Sequence, residues 1–453
     1  TDSPQQTNDT FNTARVKQTY LFITDRKLPS QPHPLKVESH IRKEGKNWVS
    51  RKELPANAIT QFTILKTAGD YSLWQASPVS GKTHQIRLHA ADIGIPILGD
   101  TLYGGSPFVQ IMLHSKRIEV ADLLTHDSPP PHLYEHLSLC QNQLLARWLC
   151  QLDRRTRLFP SQMASTEQSL RLIDDKENGY CCDKFGDVLW FYRFLETPLN
   201  NDERSAIASL QKLCNAKSFV LRQMENRGKS SHLKDEQPSL NWIAKENNFT
   251  FNVSTDRGWS PGLFLDQRAN RQWVLANSQQ AAVLNLFCYS GLFSVAAFLG
   301  GAREIVSVDT SKVALDWCKE NFLLNNLDPA KGEFWQADTR DFLKGCLRRK
   351  RQFDLIICDP PSFARNKNGV FRLENEFETL IAQMVHCLAK QGRILLSCNL
   401  ETWDDDRLYE NLNLWTRKLA KEITVRIEKT PTIEWDFIAG ASGMKSFFIT
   451  RAT

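Results

Sequence analysis

From Val283 onward the chain repeats one pattern. A short apolar run rich in β-branched residues ends in a polar break, and a helix-like stretch follows before the next run. Val283–Phe287, Glu304–Val308, Gly332–Trp335, Phe353–Ile357 and Gly392–Ser397 are the expected strands. Alternation of this kind predicts a mostly parallel sheet covered by helices on both faces, because parallel strands need crossover connections. The fold class expected here is therefore α/β and Rossmann-like. In such sheets ligands bind beyond the carboxyl ends of the strands, so the residues that follow each strand carry the chemistry.

After the first strand comes Cys288-Tyr289-Ser290-Gly291, where a glycine permits a tight turn into a helix whose first N–H groups are free. After the second stands Asp309, roughly 20 residues past the glycine turn, where a carboxylate suits the two hydroxyls of a ribose. Asp338 follows the third strand and is placed to accept from an adenine amino group. Asp359-Pro360-Pro361-Ser362-Phe363 follows the fourth; its prolines stiffen a loop that carries a carboxylate and an aromatic ring. Each acid alone would serve equally well as a helix N-cap. All four features, in order at successive strand ends, point to a nucleoside-containing cofactor.

At 453 residues the chain exceeds what one core usually serves, so two or three domains are expected. Residues 1–12 are polar and read as loose. Thr19–Ile23, Thr60–Leu65 and Tyr71–Gln75 read as short strands up to about Val120. Ser128-Pro129-Pro130-Pro131-His132 is a stiff break, and 134–160 has helical periodicity through Leu137, Cys140, Leu144, Leu145 and Trp148. The expected parts are 1–130, a helical linker at 131–165, a small α+β domain at 166–248 and an α/β domain at 249–453. In the small domain Leu170–Ile173 and Val188–Tyr192 flank the turn Asp183–Asp187, Asp202–Cys214 is helical, and Asn226–His232 is a basic loop. A net charge of +6, from 57 Lys+Arg against 51 Asp+Glu, is compatible with RNA binding and equally with plain solubility. Eleven scattered cysteines without a paired CxxC motif fit free thiols in a reducing compartment and no metal site. No apolar run reaches the roughly 18 residues of a membrane span. A soluble, cytoplasmic protein with no membrane partner is expected.

The order of motifs resembles the class I S-adenosylmethionine (SAM)-dependent methyltransferases. Leu265-Asp266-Gln267-Arg268-Ala269-Asn270-Arg271, with Asn285–Gly291 and Asp359–Phe363, is similar to a narrower group, the bacterial 23S ribosomal RNA methyltransferases that include the cytosine-C5 enzymes. That resemblance covers about 166–453. It implies SAM as cofactor, held by Gln267, Arg268, Phe287, Tyr289, Ser290, Gly291, Asp309, Asp338 and Asp359. Pro360, Pro361 and Phe363 would meet the substrate base. A reading of Arg268 and Arg271 as a surface charge pair on a helix stays open beside this.

Two chemistries compete for the acceptor atom. Methylation at carbon 5 of a pyrimidine needs a thiolate that adds to C6. The resemblance puts that nucleophile at Cys398, after Ile394–Ser397, with Asp359 assisting; here the local pattern is Ser397-Cys398-Asn399 rather than Ser-Cys-Ser. Methylation of a nitrogen needs no covalent step, only acceptors such as Asp359 and a stacking ring such as Phe363. Guanine-N7 relatives carry Asn near this strand end, which Asn399 echoes. Cytosine C5 is the preferred expectation and guanine nitrogen the rival. Cys288 and Cys358 are expected to line the pocket.

Gly81-Lys82-Thr83-His84-Gln85-Ile86-Arg87-Leu88-His89 and Gly94–Tyr103, with Lys17–Tyr20 and Met112–Ser115, resemble the C-terminal half of RluA-type pseudouridine synthases over about 12–120. The resemblance implies a mixed, strand-rich fold, with Tyr20 and Arg87 lining a uridine pocket. Lys82, His84 and Arg87 are expected to form a basic surface for phosphates. Those enzymes carry their aspartate nucleophile in a His-Arg-Leu-Asp segment, which does not occur between Thr1 and Thr453. The module is expected to dock RNA, and isomerase activity would require a catalytic part outside these residues. The partner expected for the whole is ribosomal RNA or a large-subunit precursor. A SAM-binding assembly factor without catalysis is the alternative from another class.

Overall fold

The computed structural model describes residues 16–28, 34–121, 123–224, 241–258, 260–366, 369–400, 402–419, 423–430, 437 and 444–452. The expected loose segment 1–12 and the basic loop Asn226–His232 lie outside them. The chain forms two compact units, one of Thr1–Leu158 with Thr197–Cys214 and one of Phe159–Glu196 with Asn215–Thr453.

The first unit is built on an antiparallel sheet of β1 (Val16–Thr24), β2 (Leu35–Glu44), β3 (Asn47–Arg51), β4 (Ala58–Ala68), β5 (Tyr71–Pro78), β6 (Leu113–Val120) and β7 (Leu124–Asp127). Their order is β3-β2-β4-β5-β1-β6-β7. Helix α1 (Gln85–Asp92) carries the Gly81–His89 motif. Helix α2 (Gln143–Leu158) buries Leu145, Trp148, Leu149 and Leu152, the stripe that its periodicity demands. It packs on α3 (Asn201–Leu213). Helix α3 starts with a capping box: Asn200 Oδ1 accepts from the Glu203 N–H at 2.9 Å, and the Glu203 carboxylate accepts from the Asn200 N–H at 2.7 Å. The two helices expected as a linker and as part of the small domain thus share one compact unit.

The second unit opens with β8 (Ser169–Asp175), β9 (Tyr180–Phe185), β10 (Val188–Arg193) and β11 (Ser218–Gln223), then the hairpin β12 (Asn241–Glu246) and β13 (Phe249–Ser254). Helix α4 (Arg268–Asn277) leads into the main sheet. Its strands are β14 (Ala282–Leu286), β15 (Glu304–Asp309), β16 (Glu333–Gln336), β17 (Phe353–Cys358), β20 (Leu388–Cys398), β21 (Val425–Lys429) and β22 (Lys445–Arg451). A separate hairpin, β18 (Phe363–Asn366) with β19 (Gly369–Arg372), follows the Asp359 loop. The order is β16-β15-β14-β17-β20-β22-β21, parallel up to β20 and antiparallel beyond it. The chain reverses direction across the sheet between β14 and β17, where a crevice must form.

Side chains alternate between two cores, as the period of two requires. Leu284, Leu286, Ile356, Ile394, Leu396 and Cys398 lie in one core, with α7 (Thr339–Arg349), α8 (Leu373–His386) and α9 (Asp405–Leu419). Val283, Leu355, Ile357 and Leu395 lie in the other, with α4, α5 (Leu292–Leu299) and α6 (Lys312–Leu324). Among the described residues no helix is long and apolar enough to cross a membrane, and no cluster could hold a metal ion. All eleven cysteines are free.

Candidate functional site

A cavity of about 310 Å³ opens at the crevice. Phe287, Tyr289, Asp309, Asp338, Arg340, Asp359, Pro360, Pro361, Phe371 and Asn399 are among its walls. A smaller cavity of about 70 Å³ adjoins it and shares Phe264, Phe287, Tyr289 and Asp359; Gln267, Arg271, Cys288 and Ser290 are among its other walls. Asp359 therefore stands where the two spaces meet.

The loop after β14 is folded against its preferences. Phe287 and Tyr289 have φ of 54° and 49°, a region that side chains with a Cβ rarely enter. Asp309 holds that loop: Oδ2 accepts from the Tyr289 N–H at 3.0 Å, while Oδ1 accepts from the Ser311 N–H at 2.9 Å. Burial pushes its pKa up, against the pull of these donors. Ser290 Oγ donates to the Gly262 carbonyl. Gly291 does not line either cavity. Its φ is 77°, and a Cβ there would lie 2.6 Å from Cys318 Cβ on α6, so the glycine is required by helix packing rather than by a ligand.

Asp338 lines the larger cavity, but its oxygens already hold Arg340. Oδ1 accepts from the Arg340 backbone N–H at 2.9 Å, and Oδ2 from the guanidinium at 2.8 Å. The carboxylate is thus an N-cap of α7 and an ion-pair partner at once. Glu376 on α8 holds the other side of Arg340 at 2.9 Å. Arg340 was missed by the sequence reading; its signal was the Asp-x-Arg spacing at a strand end.

Arg268 corrects an expectation. It lines neither cavity: its guanidinium donates to the Ser169 carbonyl at 3.1 Å and lies 3.5 Å from Glu246, with the side chain 5% exposed. Arg271, which does line the smaller cavity, pairs with the same Glu246 at 2.5 Å. The alternative of a surface charge pair fails as well, because both arginines are buried.

Cys398 corrects the larger expectation. It is 0% exposed, lines neither cavity, and packs in register with Ile394 and Leu396 beneath the α8 and α9 layer. Burial raises its thiol pKa instead of easing ionisation. The next residue, Asn399, is the one that reaches the cavity, where its Oδ1 accepts from Ser362 Oγ at 2.6 Å. Cys288 lines the smaller cavity, whereas Cys358 is core. Pro360 and Pro361 line the larger cavity, whereas Phe363 does not; its ring is 51% exposed on β18, with the Arg372 guanidinium 5.4 Å from the ring centroid.

In the first unit the expected basic surface is not assembled. Arg87 pairs with buried Asp100 at 2.6 Å and lies over the Tyr103 ring. His84 Nδ1 is 2.8 Å from the Tyr103 hydroxyl, and burial lowers its pKa, which favours the neutral ring. Lys82 alone of the three is exposed. Tyr20 donates to Gln18 Oε1 at 3.0 Å from a half-buried position, and burial raises its pKa.

The larger cavity fits an adenosine. Phe287 and Phe371, with ring centroids 5.5 Å apart, form an apolar wall, and Asp309 offers a carboxylate at the end of β15. The amide of Gln267, on the smaller cavity, suits the polar tail of a SAM molecule, and Asp359, on both cavities, stands where cofactor and substrate would meet. Asp309→Ala removes both the ribose acceptor and the anchor of the strained loop. SAM affinity should fall about 5–150-fold, the equivalent of roughly 1–3 kcal/mol. Calorimetry giving parental affinity would reject this placement of the cofactor.

Comparison with known proteins agrees with a SAM-dependent methyltransferase fold. Residues 2–92 match the RNA pseudouridylate synthase family. Over 175 residues, 38% of this chain, the sequence is 36% identical to the ribosomal RNA large subunit methyltransferase K/L of Shewanella oneidensis, of which 24% is covered. Over 189 residues it is 34% identical to the ribosomal RNA large subunit methyltransferase K of Neisseria meningitidis, covering 41% of this chain and 53% of that one. The chain thus spans about half or less of the curated relatives it matches. A crystal structure of a candidate methyltransferase complexed with SAH superposes with a TM-score of 0.56 at 26% identity, covering 68% of this chain and 81% of the other. Residues 203–450, more than half of the chain, match the S-adenosylmethionine-dependent methyltransferase family, and the chain belongs to that family.

Proposed function

We propose that the chain transfers the methyl group of SAM to a hydrogen-bearing nitrogen, N1 or N2, of a guanine base in large-subunit ribosomal RNA. One observation carries the choice of atom: Asp359 and Asn399 face the cavity, while Cys398 lies in the core. Guanine presents the O6 acceptor beside the N1–H and N2–H donors. The Asn399 amide, with its Oδ1 taken by Ser362, is a donor for O6, and the Asp359 carboxylate accepts from the two N–H groups. Cytosine offers a carboxylate only its single amino group. SAM supplies an electrophilic methyl group, so nitrogen needs no covalent activation by the protein. The chain's own work is to hold the base, exclude water with Phe264 and Phe371, and take up a proton.

The names of the relatives support ribosomal RNA as the substrate, and a cytoplasmic reaction follows from it. The pseudouridylate synthase match supports an RNA-docking role for the N-terminal residues. The test uses Cys398→Ser. On ribosomal RNA lacking the modification, this variant should incorporate tritiated methyl at close to the parental rate. RNA with 5-fluorocytosine should trap no covalent complex with either protein. A folded, SAM-binding Cys398→Ser protein without activity, or a trapped parental complex, would return the reaction to carbon 5.

A further inference from the structure

The β18–β19 hairpin carries an aromatic ring and a cation that neither cavity uses. Phe363 and Arg372 are direct partners across the two strands, so their side chains leave the hairpin on one face. The Arg372 guanidinium lies over the Phe363 ring, 5.4 Å from its centroid, and the ring stays half exposed. Among the described residues no carboxylate pairs with Arg372. The acids in the adjoining first turn of α8 are engaged elsewhere: Glu374 accepts from Thr402 Oγ1 at 3.0 Å, and Glu376 holds Arg340 at 2.9 Å. The other face of the hairpin is anchored to the larger cavity. Phe371, one residue before Arg372, points the opposite way, as strand alternation requires, and its ring packs 5.5 Å from that of Phe287 in the cavity wall. At the base of the hairpin the Ser362 carbonyl accepts from the Leu373 N–H at 3.2 Å, while Ser362 Oγ donates to Asn399 Oδ1 at 2.6 Å. Phe363 and Arg372 therefore stand just outside the cavity mouth, held to its wall through Phe371 and Ser362.

We propose that Phe363 and Arg372 form a binding site for an unpaired nucleotide next to the target in the RNA strand: its base stacks on the Phe363 ring and its phosphate meets the Arg372 guanidinium. A base held in the cavity is turned out of its own stack, so the nucleotide beside it loses a neighbour and bares one face of its ring. An aromatic side chain accepts that face whichever base it is. A guanidinium with no carboxylate partner suits the oxygens of a phosphate. The site rests on the functional reading only in taking RNA as the substrate, and it is the same whichever atom is methylated.

The test measures RNA binding and steady-state methylation on unmodified large-subunit ribosomal RNA, with SAM affinity followed by calorimetry. Phe363→Ala should raise the Kd and KM for RNA about 5–150-fold, the loss of one base–aromatic stack, with SAM affinity within about twofold of the parent. Phe363→Trp should restore the parental KM, because it keeps a stacking ring. Arg372→Gln should lessen the slope of log affinity against log salt by about 0.7, the share of one phosphate in a single strand. An abasic residue beside the methylated nucleotide should weaken the parent to the level of Phe363→Ala and weaken that variant no further. An unchanged KM in Phe363→Ala, or an equal loss of SAM affinity, overturns the proposal. So does a loss seen on ribosomal particles and not on free RNA, which would make a ribosomal protein the partner. A loss of RNA affinity in Phe363→Ala that Phe363→Trp rescues, with a parent that methylates no guanine, would uphold the stacking site and sink the functional reading.

Discussion

Asp359→Asn should lower methyl transfer by about 10²–10⁴-fold while SAM affinity changes less than about tenfold. The side chain keeps its size, so the stiff Pro360-Pro361 loop and the cavity walls should hold. What disappears is the acceptor for the base and for the proton released as nitrogen takes the methyl group. Burial and the nearby Asp266 raise the Asp359 carboxyl to about 7, while the Gln267 amide pulls the other way. Parental activity should therefore rise with pH through about 7, and the variant should have no such limb. Stability runs in the opposite sense. Between an unfolded value of about 4 and the folded value near 7 the native protein holds a proton that the unfolded chain has lost, so stability falls as pH rises through that window. Asp359→Asn removes this loss and should raise the Tm by a few degrees at pH 8 and not at pH 4. A variant that keeps full turnover would show that another group receives the proton.

The strands of the α/β half were legible because each is short, apolar and followed by a polar break. Val283–Phe287 and Phe353–Ile357 fall within a residue of β14 and β17. Cofactor-side acids were legible for the same reason, since Asp309 ends β15 and Asp359 directly follows β17. Cys398 was misjudged because a strand end was read without its alternation. Ile394, Leu396 and Cys398 share a face, so a core residue at 394 already assigns 398 to the core and leaves 399 as the first residue free to turn to the crevice. Asp338 shows the opposite difficulty: capping and ligand binding ask for the same residue at the same place, and Arg340 engages it before any ligand arrives. The hairpin of β18 and β19 was not anticipated, although its Phe371 supplies a cavity wall. Periodicity is weak over strands of four residues. Glu246 was not singled out, because nothing in a sequence marks which of many carboxylates will face two arginines beyond residue 260.

Glu246→Ala should be the most destabilising single change at the site, at about 3–5 kcal/mol. Glu246 ends β12 with its side chain 0% exposed. Its two oxygens accept from Arg271 Nε at 2.6 Å and Nη2 at 2.5 Å, and Arg268 lies 3.5 Å away. Removing the carboxylate leaves two buried guanidinium groups facing one another without their shared counter-charge. The carbonyls of Ser169 and Phe264, which accept from Arg268 and Arg271 at 3.1 and 2.9 Å, cannot neutralise them. The effect reaches function through the second of these bonds. Arg271 fixes the backbone at Phe264, a wall of both cavities, so SAM binding should weaken in parallel with stability. Simultaneous Glu246→Leu, Arg268→Met and Arg271→Met substitution removes all the charges and should recover most of the lost stability, because paired buried charges gain little over well-packed apolar side chains. Its SAM affinity should nevertheless stay low, since the Phe264 carbonyl then keeps only the Gln267 backbone N–H, at 3.2 Å, and loses its charged donor. Urea titration of the parent, the Glu246→Ala variant and the triple variant decides the point: a loss below about 1 kcal/mol for Glu246→Ala would mean that water reaches these arginines, and the buried-triad account of α4 would fall.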